Sequence, residues 1–206
     1  MKVIIVDYGM GNVGSIANMV KKAGGNSIIT SNHKEILNAN KLILPGVGSF
    51  DTGMRNLNNS GLTEVLNEKV IDEKTPILGI CLGMQLMTKN SEEGQENGLG
   101  WVNAQTIKFH FSESDKRLRV PHMGWNTITK QKNHSILDGM DVEKTRFYFV
   151  HSFYVSCEEK QDVLLTSYYG FDFHAAFQVD NILGVQFHPE KSHRFGMQLI
   201  SNFLIY

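Results

Sequence analysis

The chain has 206 residues, 41% of them hydrophobic and 20% charged, with a formal net charge of -1. That length can bury one full core, so a single domain over residues 1–206 is expected. A charge balance this near neutral excludes the broad attraction that draws proteins to nucleic acid or anionic membranes, and no apolar run approaches the ~20 residues that cross a bilayer.

Short β-branched runs at Lys2–Asp7, Asn26–Thr30, Lys41–Leu44 and Ile77–Ile80 read as buried strands. Between the first two, Val13–Ala23 places Val13, Ile16, Ala17 and Val20 at helical spacing, and Leu62–Ile71 does the same with Leu62, Val65, Leu66 and Val70. Such a βαβα series predicts a three-layer α/β fold, a central, mostly parallel sheet flanked by helices. Lys89–Gly98 reads as a surface loop. After Gly100 the texture changes to strand-like runs separated by polar turns: Thr106–Phe111, Phe147–Val150, Val163–Tyr168, Ala175–Val179 and Ile182–Gln186. These predict an antiparallel C-terminal portion, closed by a helix over Phe195–Ile205.

The apolar run at the N-terminus meets Asp7 too soon for a signal-peptide core, so a cytoplasmic protein is expected. In that setting the two cysteines, Cys81 and Cys157, are not expected to pair, and no Cys/His spacing suits a metal. The same holds for His110, His122, His134 and His174, and no cofactor is implied. Cys157 adjoins Glu158 and Glu159, whose charges disfavour a thiolate, so it is read as inert.

Cys81 has a different context. In Gly79-Ile80-Cys81-Leu82-Gly83 a cysteine with a glycine two residues to each side joins a strand to a helix, the pattern of a nucleophile elbow. There the side chain projects above the carboxyl end of the sheet, and the helix N-terminus offers N–H donors and favours a thiolate. A buried, unreactive cysteine is the alternative. A later strand delivers His188-Pro189-Glu190. A thiol needs a base, and the base needs a third group to hold its tautomer, so Cys81, His188 and Glu190 form a working set.

Gly9-Met10-Gly11-Asn12-Val13-Gly14 also matches the dinucleotide-binding fingerprint. That fingerprint expects an acid near the end of the second strand, and Thr30-Ser31-Asn32-His33 offers none.

The segments Gly79–Gln85 and Gln186–Glu190 closely resemble those of the class I, triad-type glutamine amidotransferases, which have a flavodoxin-like fold. Asp7–Asn12, Leu44–Phe50, Val120–Asn126 and Phe149–Ser152 are similar to the glutaminase subunits of imidazole glycerol phosphate synthases. The resemblance implies L-glutamine as substrate, Cys81 as nucleophile, His188 as base and Glu190 as its orienter. It implies an oxyanion hole from Leu82 and the Gly46-Val47-Gly48 loop, and glutamine held by Gly46, Gln85, His151 and Ser152. It further implies a heterodimer in which Asn12, Pro121, Met123, Trp125 and Lys191 dock on a synthase, a (β/α)8-barrel cyclase that receives ammonia. Two other readings stay open: a paralogous glutaminase serving an amino-sugar synthase of surface-polysaccharide pathways, and a non-catalytic docking subunit. The resemblance places the imidazole glycerol phosphate synthases in histidine biosynthesis; Gly98–Val102 and Ser112–Arg119 depart slightly from the pattern of their glutaminase subunits and keep the first of these in view.

Overall fold

A computed structural model describes residues 2–111 and 118–206, so most of the charged Ser112–Arg119 stretch lies outside the described residues. Strands β1 (Lys2–Val6), β2 (Asn26–Thr30), β3 (Leu42–Leu44), β4 (Ile77–Ile80) and β12 (Ile182–Val185) lie parallel in the order β2-β1-β3-β4-β12. Beyond β12 the sheet turns antiparallel through β11 (Asp172–Val179), β10 (Val163–Tyr168) and β7 (Thr129–Lys130). Strands β9 (Phe153–Cys157) and β5 (Ala104–Lys108) branch from β11. A separate antiparallel pair joins β6 (His122–Thr127) to β8 (Arg146–His151).

The period of two in the strands sorts their side chains between two cores. Val3 and Ile5 face one, with Ile43, Leu78 and Ile80; Ile4 and Val6 face the other, with Leu42, Leu44 and Ile77. The first core is covered by α1 (Val13–Lys22) through Ile16, Met19 and Val20, and by α6 (His193–Ile205) through Leu199, Ile200 and Phe203. The second is covered by α2 (His33–Leu37), α3 (Phe50–Asn59), α4 (Leu62–Asn67) and α5 (Leu82–Leu86). Each fully buried Leu, Ile or Phe contributes about 2 kcal/mol by leaving water, and both layers rest on these residues.

The predicted three-layer architecture is present, with one correction. Ile182–Val185 belongs to the parallel set, because it lies in register beside β4 as well as antiparallel to β11. Phe147–Val150 lies in the small second sheet. That parallel placement matters for the site: Val185 and Ile80 are register partners, so the residues following each emerge side by side at the carboxyl end of the sheet.

Candidate active site

Cys81 sits at the turn from β4 into α5 with φ 54° and ψ -110°, a conformation that costs an L-residue energy and is held by its surroundings. Its N–H donates to the Val185 carbonyl at 2.8 Å, and its own carbonyl accepts from Met84 and Gln85. The flanking glycines are required by contact. A Cβ on Gly83 would lie 1.9 Å from the Leu44 oxygen, and one on Gly79 would lie 2.8 Å from the Met84 nitrogen. Helix α5 has only five residues, so its macrodipole is slight; what the turn supplies is first-turn N–H groups without intrahelical acceptors, that of Leu82 among them.

His188 follows the end of β12 beside this turn. Its backbone N–H donates to the Tyr148 carbonyl at 2.9 Å, and its carbonyl accepts from Ser192 Oγ at 2.6 Å, whose oxygen in turn accepts from the Tyr148 N–H at 3.0 Å. Phe187 stacks on Phe147 with centroids 3.7 Å apart, pinning the strand end. The Nδ1–H of His188 donates to Glu190 Oε1 at 2.8 Å, both side chains being buried. In the neutral ring that bond leaves Nε2 as the acceptor nitrogen, which is buried and has no hydrogen-bond partner of good geometry. Burial alone would push this imidazole down, but the Cys81 sulfur and the Glu190 carboxylate together carry it up to about 9. Thiol, imidazole and carboxylate therefore stand in the order that moves a proton off sulfur.

A cavity of about 540 Å³ opens over Cys81. It is lined by Val47, Gly48, Leu82 and Gln85 around the turn, by His151 and Ser152 opposite, and by Pro121 and Lys191 at the side. Of the predicted substrate residues, Gly46 is not in the wall: a Cβ there would lie 2.7 Å from both the Gly83 nitrogen and Leu82 Cβ, so this glycine lets the loop pack on the elbow. The loop is tethered by the buried Tyr8 hydroxyl, which donates to the Pro45 carbonyl at 2.6 Å. Gly11 presses on the same loop, where a Cβ would lie only 3.0 Å from Pro45 Cβ, which gives the N-terminal glycine run an intramolecular use. Asn12 is exposed at the start of α1, and Met123 and Trp125 are 61% and 45% exposed on β6. These two are surface residues and not core. Trp125 stacks on His193 with ring planes 4° apart.

A family model described as glutamine amidotransferase class-I matches residues 4–206. The chain belongs to this family. It is 55% identical over 202 residues to imidazole glycerol phosphate synthase subunit HisH 2 of Methanococcus maripaludis, covering 98% of each chain. It is 48% identical over 202 residues to the subunit HisH 2 of Pseudomonas aeruginosa, again covering 98% of each. In fold it is similar to PurLQS from Thermotoga maritima, with a TM-score of 0.75 at 17% identity, covering 100% of this chain and 98% of that one. A glutamine amidotransferase from the same organism gives 0.65 at 15%, covering 100% and 83%.

The amidotransferase site contains residues that sequence reasoning missed. Glu93, from the segment read as a surface loop, lines the cavity while accepting from the Phe50 N–H at 2.8 Å; its only signal is an acidic pair, Glu92-Glu93, in an otherwise polar stretch. Ser192 lies two residues past Glu190 and carries no motif of its own. His122 and His151, read as lacking metal spacing and as a substrate residue respectively, form a buried pair with Nδ1 to Nε2 2.9 Å apart. Gln85 is buried rather than solvated, with Nε2 donating to the Phe153 carbonyl at 3.1 Å and to Gln186 Oε1 at 3.0 Å. Cys157 is buried at the end of β9, and burial pushes its thiol up to about 12, with Asp162 adding to it. Desolvation is thus the main influence against its thiolate, and Glu158 is turned to Lys89.

Proposed function

We propose that this chain is the glutaminase subunit of an imidazole glycerol phosphate synthase, hydrolysing L-glutamine to glutamate and ammonia. The observation that carries the reading is the 55% identity across 98% of both chains to a subunit of that name, in a protein whose Cys81 and His188 line one cavity with Glu190 hydrogen-bonded to His188. Cys81 Sγ attacks the side-chain carbonyl carbon while its proton passes to His188 Nε2. The proton then leaves on ammonia as the carbon–nitrogen bond breaks. Water adds to the thioester with His188 as base, releasing glutamate and restoring the thiol. Glu190 keeps the imidazole in the tautomer that presents Nε2 and stabilises the imidazolium.

Both tetrahedral intermediates carry an oxyanion, for which the Leu82 N–H and the amides of Val47 and Gly48 are the proposed donors, at ~3 kcal/mol each. Gln85, with both its N–H groups engaged, keeps its oxygen for the substrate α-ammonium, and Glu93 adds a negative charge to the same cavity. The His151-Ser152 backbone and Lys191 serve the α-carboxylate. The synthase docks over Asn12, Pro121, Met123, Trp125 and Lys191, a face that joins exposed apolar side chains to the rim of the cavity. A sealed contact there keeps ammonia from protonation in water. The partner is a (β/α)8-barrel cyclase in a cytoplasmic heterodimer, and activity is low until it binds. Purification of the native complex tests the assignment: a co-purifying barrel cyclase supports it and an amino-sugar synthase overturns it. In that complex Cys81→Ala is expected to abolish glutamine-dependent synthesis while ammonia-dependent synthesis persists. Glutamine turnover surviving the substitution would exclude the mechanism.

A further inference from the structure

We propose that Gln186 is a catalytic residue of this site, its side-chain amide donating a hydrogen bond to the Cys81 sulfur in an orientation dictated by the main-chain carbonyl of Phe153. The inference rests on the glutaminase reading above. Gln186 is fully buried, and its Nε2 lies 3.7 Å from Cys81 Sγ, within hydrogen-bond range for sulfur.

The direction of this bond follows from a chain of necessities. A carbonyl oxygen can only accept, so the amide atom of Gln85 lying 3.1 Å from the Phe153 oxygen must be nitrogen. The same nitrogen lies 3.0 Å from the Gln186 amide, which must then present its oxygen. The Gln186 NH2 is left to face the sulfur. Rotating the Gln85 amide would set its oxygen against two buried acceptors, and rotating the Gln186 amide would set its NH2 against that of Gln85, donor against donor.

The Phe153 carbonyl is fixed from a second direction. It accepts from His151 Nδ1 at 2.7 Å, which makes His151 Nε2 an acceptor and His122 Nδ1 its donor; His122 Nε2 then accepts from Asn126 Nδ2 at 3.2 Å. Each ring needs one proton for this pattern, and burial, which lowers His122 to about 4 and His151 to about 3, keeps both neutral.

A glutamine kept for stability alone would give its NH2 to oxygen, because thiol sulfur is a weak acceptor. Thiolate sulfur is a stronger one, so the amide favours the state in which the proton has moved from Sγ to His188 Nε2. No atom but that proton moves.

The test is iodoacetamide alkylation of Cys81 in the full chain without glutamine, located by mass spectrometry and followed from about pH 6 to about pH 10. Gln186→Leu removes the donor, and Gln186→Glu keeps the oxygen facing Gln85 while replacing the N–H. Both are expected to alkylate about tenfold more slowly near neutral pH and to regain the wild-type rate at high pH. Gln85→Met, which frees the Gln186 amide to rotate, should shift the profile in the same direction by less. Should a Gln186 variant fail to fold, the other two decide. Profiles superimposable on wild type in the folded variants would overturn the proposal. Because no glutamine is present, that failure is separate from failure of the glutaminase reading, which would appear as wild-type complex that releases no ammonia from glutamine.

Discussion

At the scale of single residues, the site is a balance of histidines with opposite tendencies. His188 is raised from 6.5 to about 9, so the folded state holds its proton more tightly than the unfolded chain. The stability this supplies is fully present below pH 6.5 and is lost as pH rises through about 9. His122 and His151 run the other way: lowered to about 4 and about 3, they refuse protons that the unfolded chain accepts, so stability is lost as pH falls below 6.5 toward those values. Each proton changes stability by at most ~1.4 kcal/mol per pH unit. Glu190→Gln removes one of the groups that raise His188, and thermal melting across pH should show its largest deficit against wild type below 6.5, shrinking above about 9. A deficit that grew at alkaline pH would contradict this assignment. Cys81, His188 and Glu190 are legible in the sequence because each occupies a motif whose chemistry needs all three. Gln186 stands in the same motif as His188, but its significance lies in which way an amide faces, and that is settled by the carbonyl of Phe153 on another strand.

At the scale of elements, the parallel half is readable because its strands are uninterrupted β-branched runs and α1 and α6 bury residues at helical spacing. Helix α3 is not, because Gly53 and several asparagines obscure its pattern, although Phe50, Gly53, Met54 and Leu57 form its buried stripe. Gly53 is small because a Cβ there would sit 3.1 Å from Leu86. Strand β6 reads in sequence as a docking loop: it is poor in β-branched residues, and its outward side chains are the apolar Met123 and Trp125. Lys41 reads as the first residue of a strand, yet its buried Nζ donates to the carbonyls of Phe203, Leu204 and Tyr206 at the end of α6. A helix C-terminus leaves such carbonyls without partners, and here a lysine just before β3 satisfies three of them. Lys41→Met should therefore lower stability by roughly 2–4 kcal/mol in urea unfolding, with glutamine turnover of the folded protein unchanged. No loss of stability would mean that water serves these carbonyls equally well.

At the scale of the whole molecule, the sheet brings residues distant in sequence to one end, and four exposed apolar side chains belong to the segments around it. Val47, Val120, Met123 and Trp125 are all more than two-fifths exposed, and Pro121 and Lys191 join the patch to the cavity wall. Trp125→Ala should weaken synthase binding by at least about thirtyfold, as loss of a central aromatic anchor does, while leaving the melting temperature of the isolated chain unchanged. Titration calorimetry with the purified synthase checks it, and unaltered affinity would move the interface elsewhere. The central claim, that Cys81 is the nucleophile toward glutamine, is tested most directly by reacting the complex with a diazoketone analogue of L-glutamine and locating the label by mass spectrometry. One label per chain is expected, on Cys81, with parallel loss of glutamine turnover and protection by glutamine. Label on Cys157, or turnover lost with Cys81 unmodified, would contradict it.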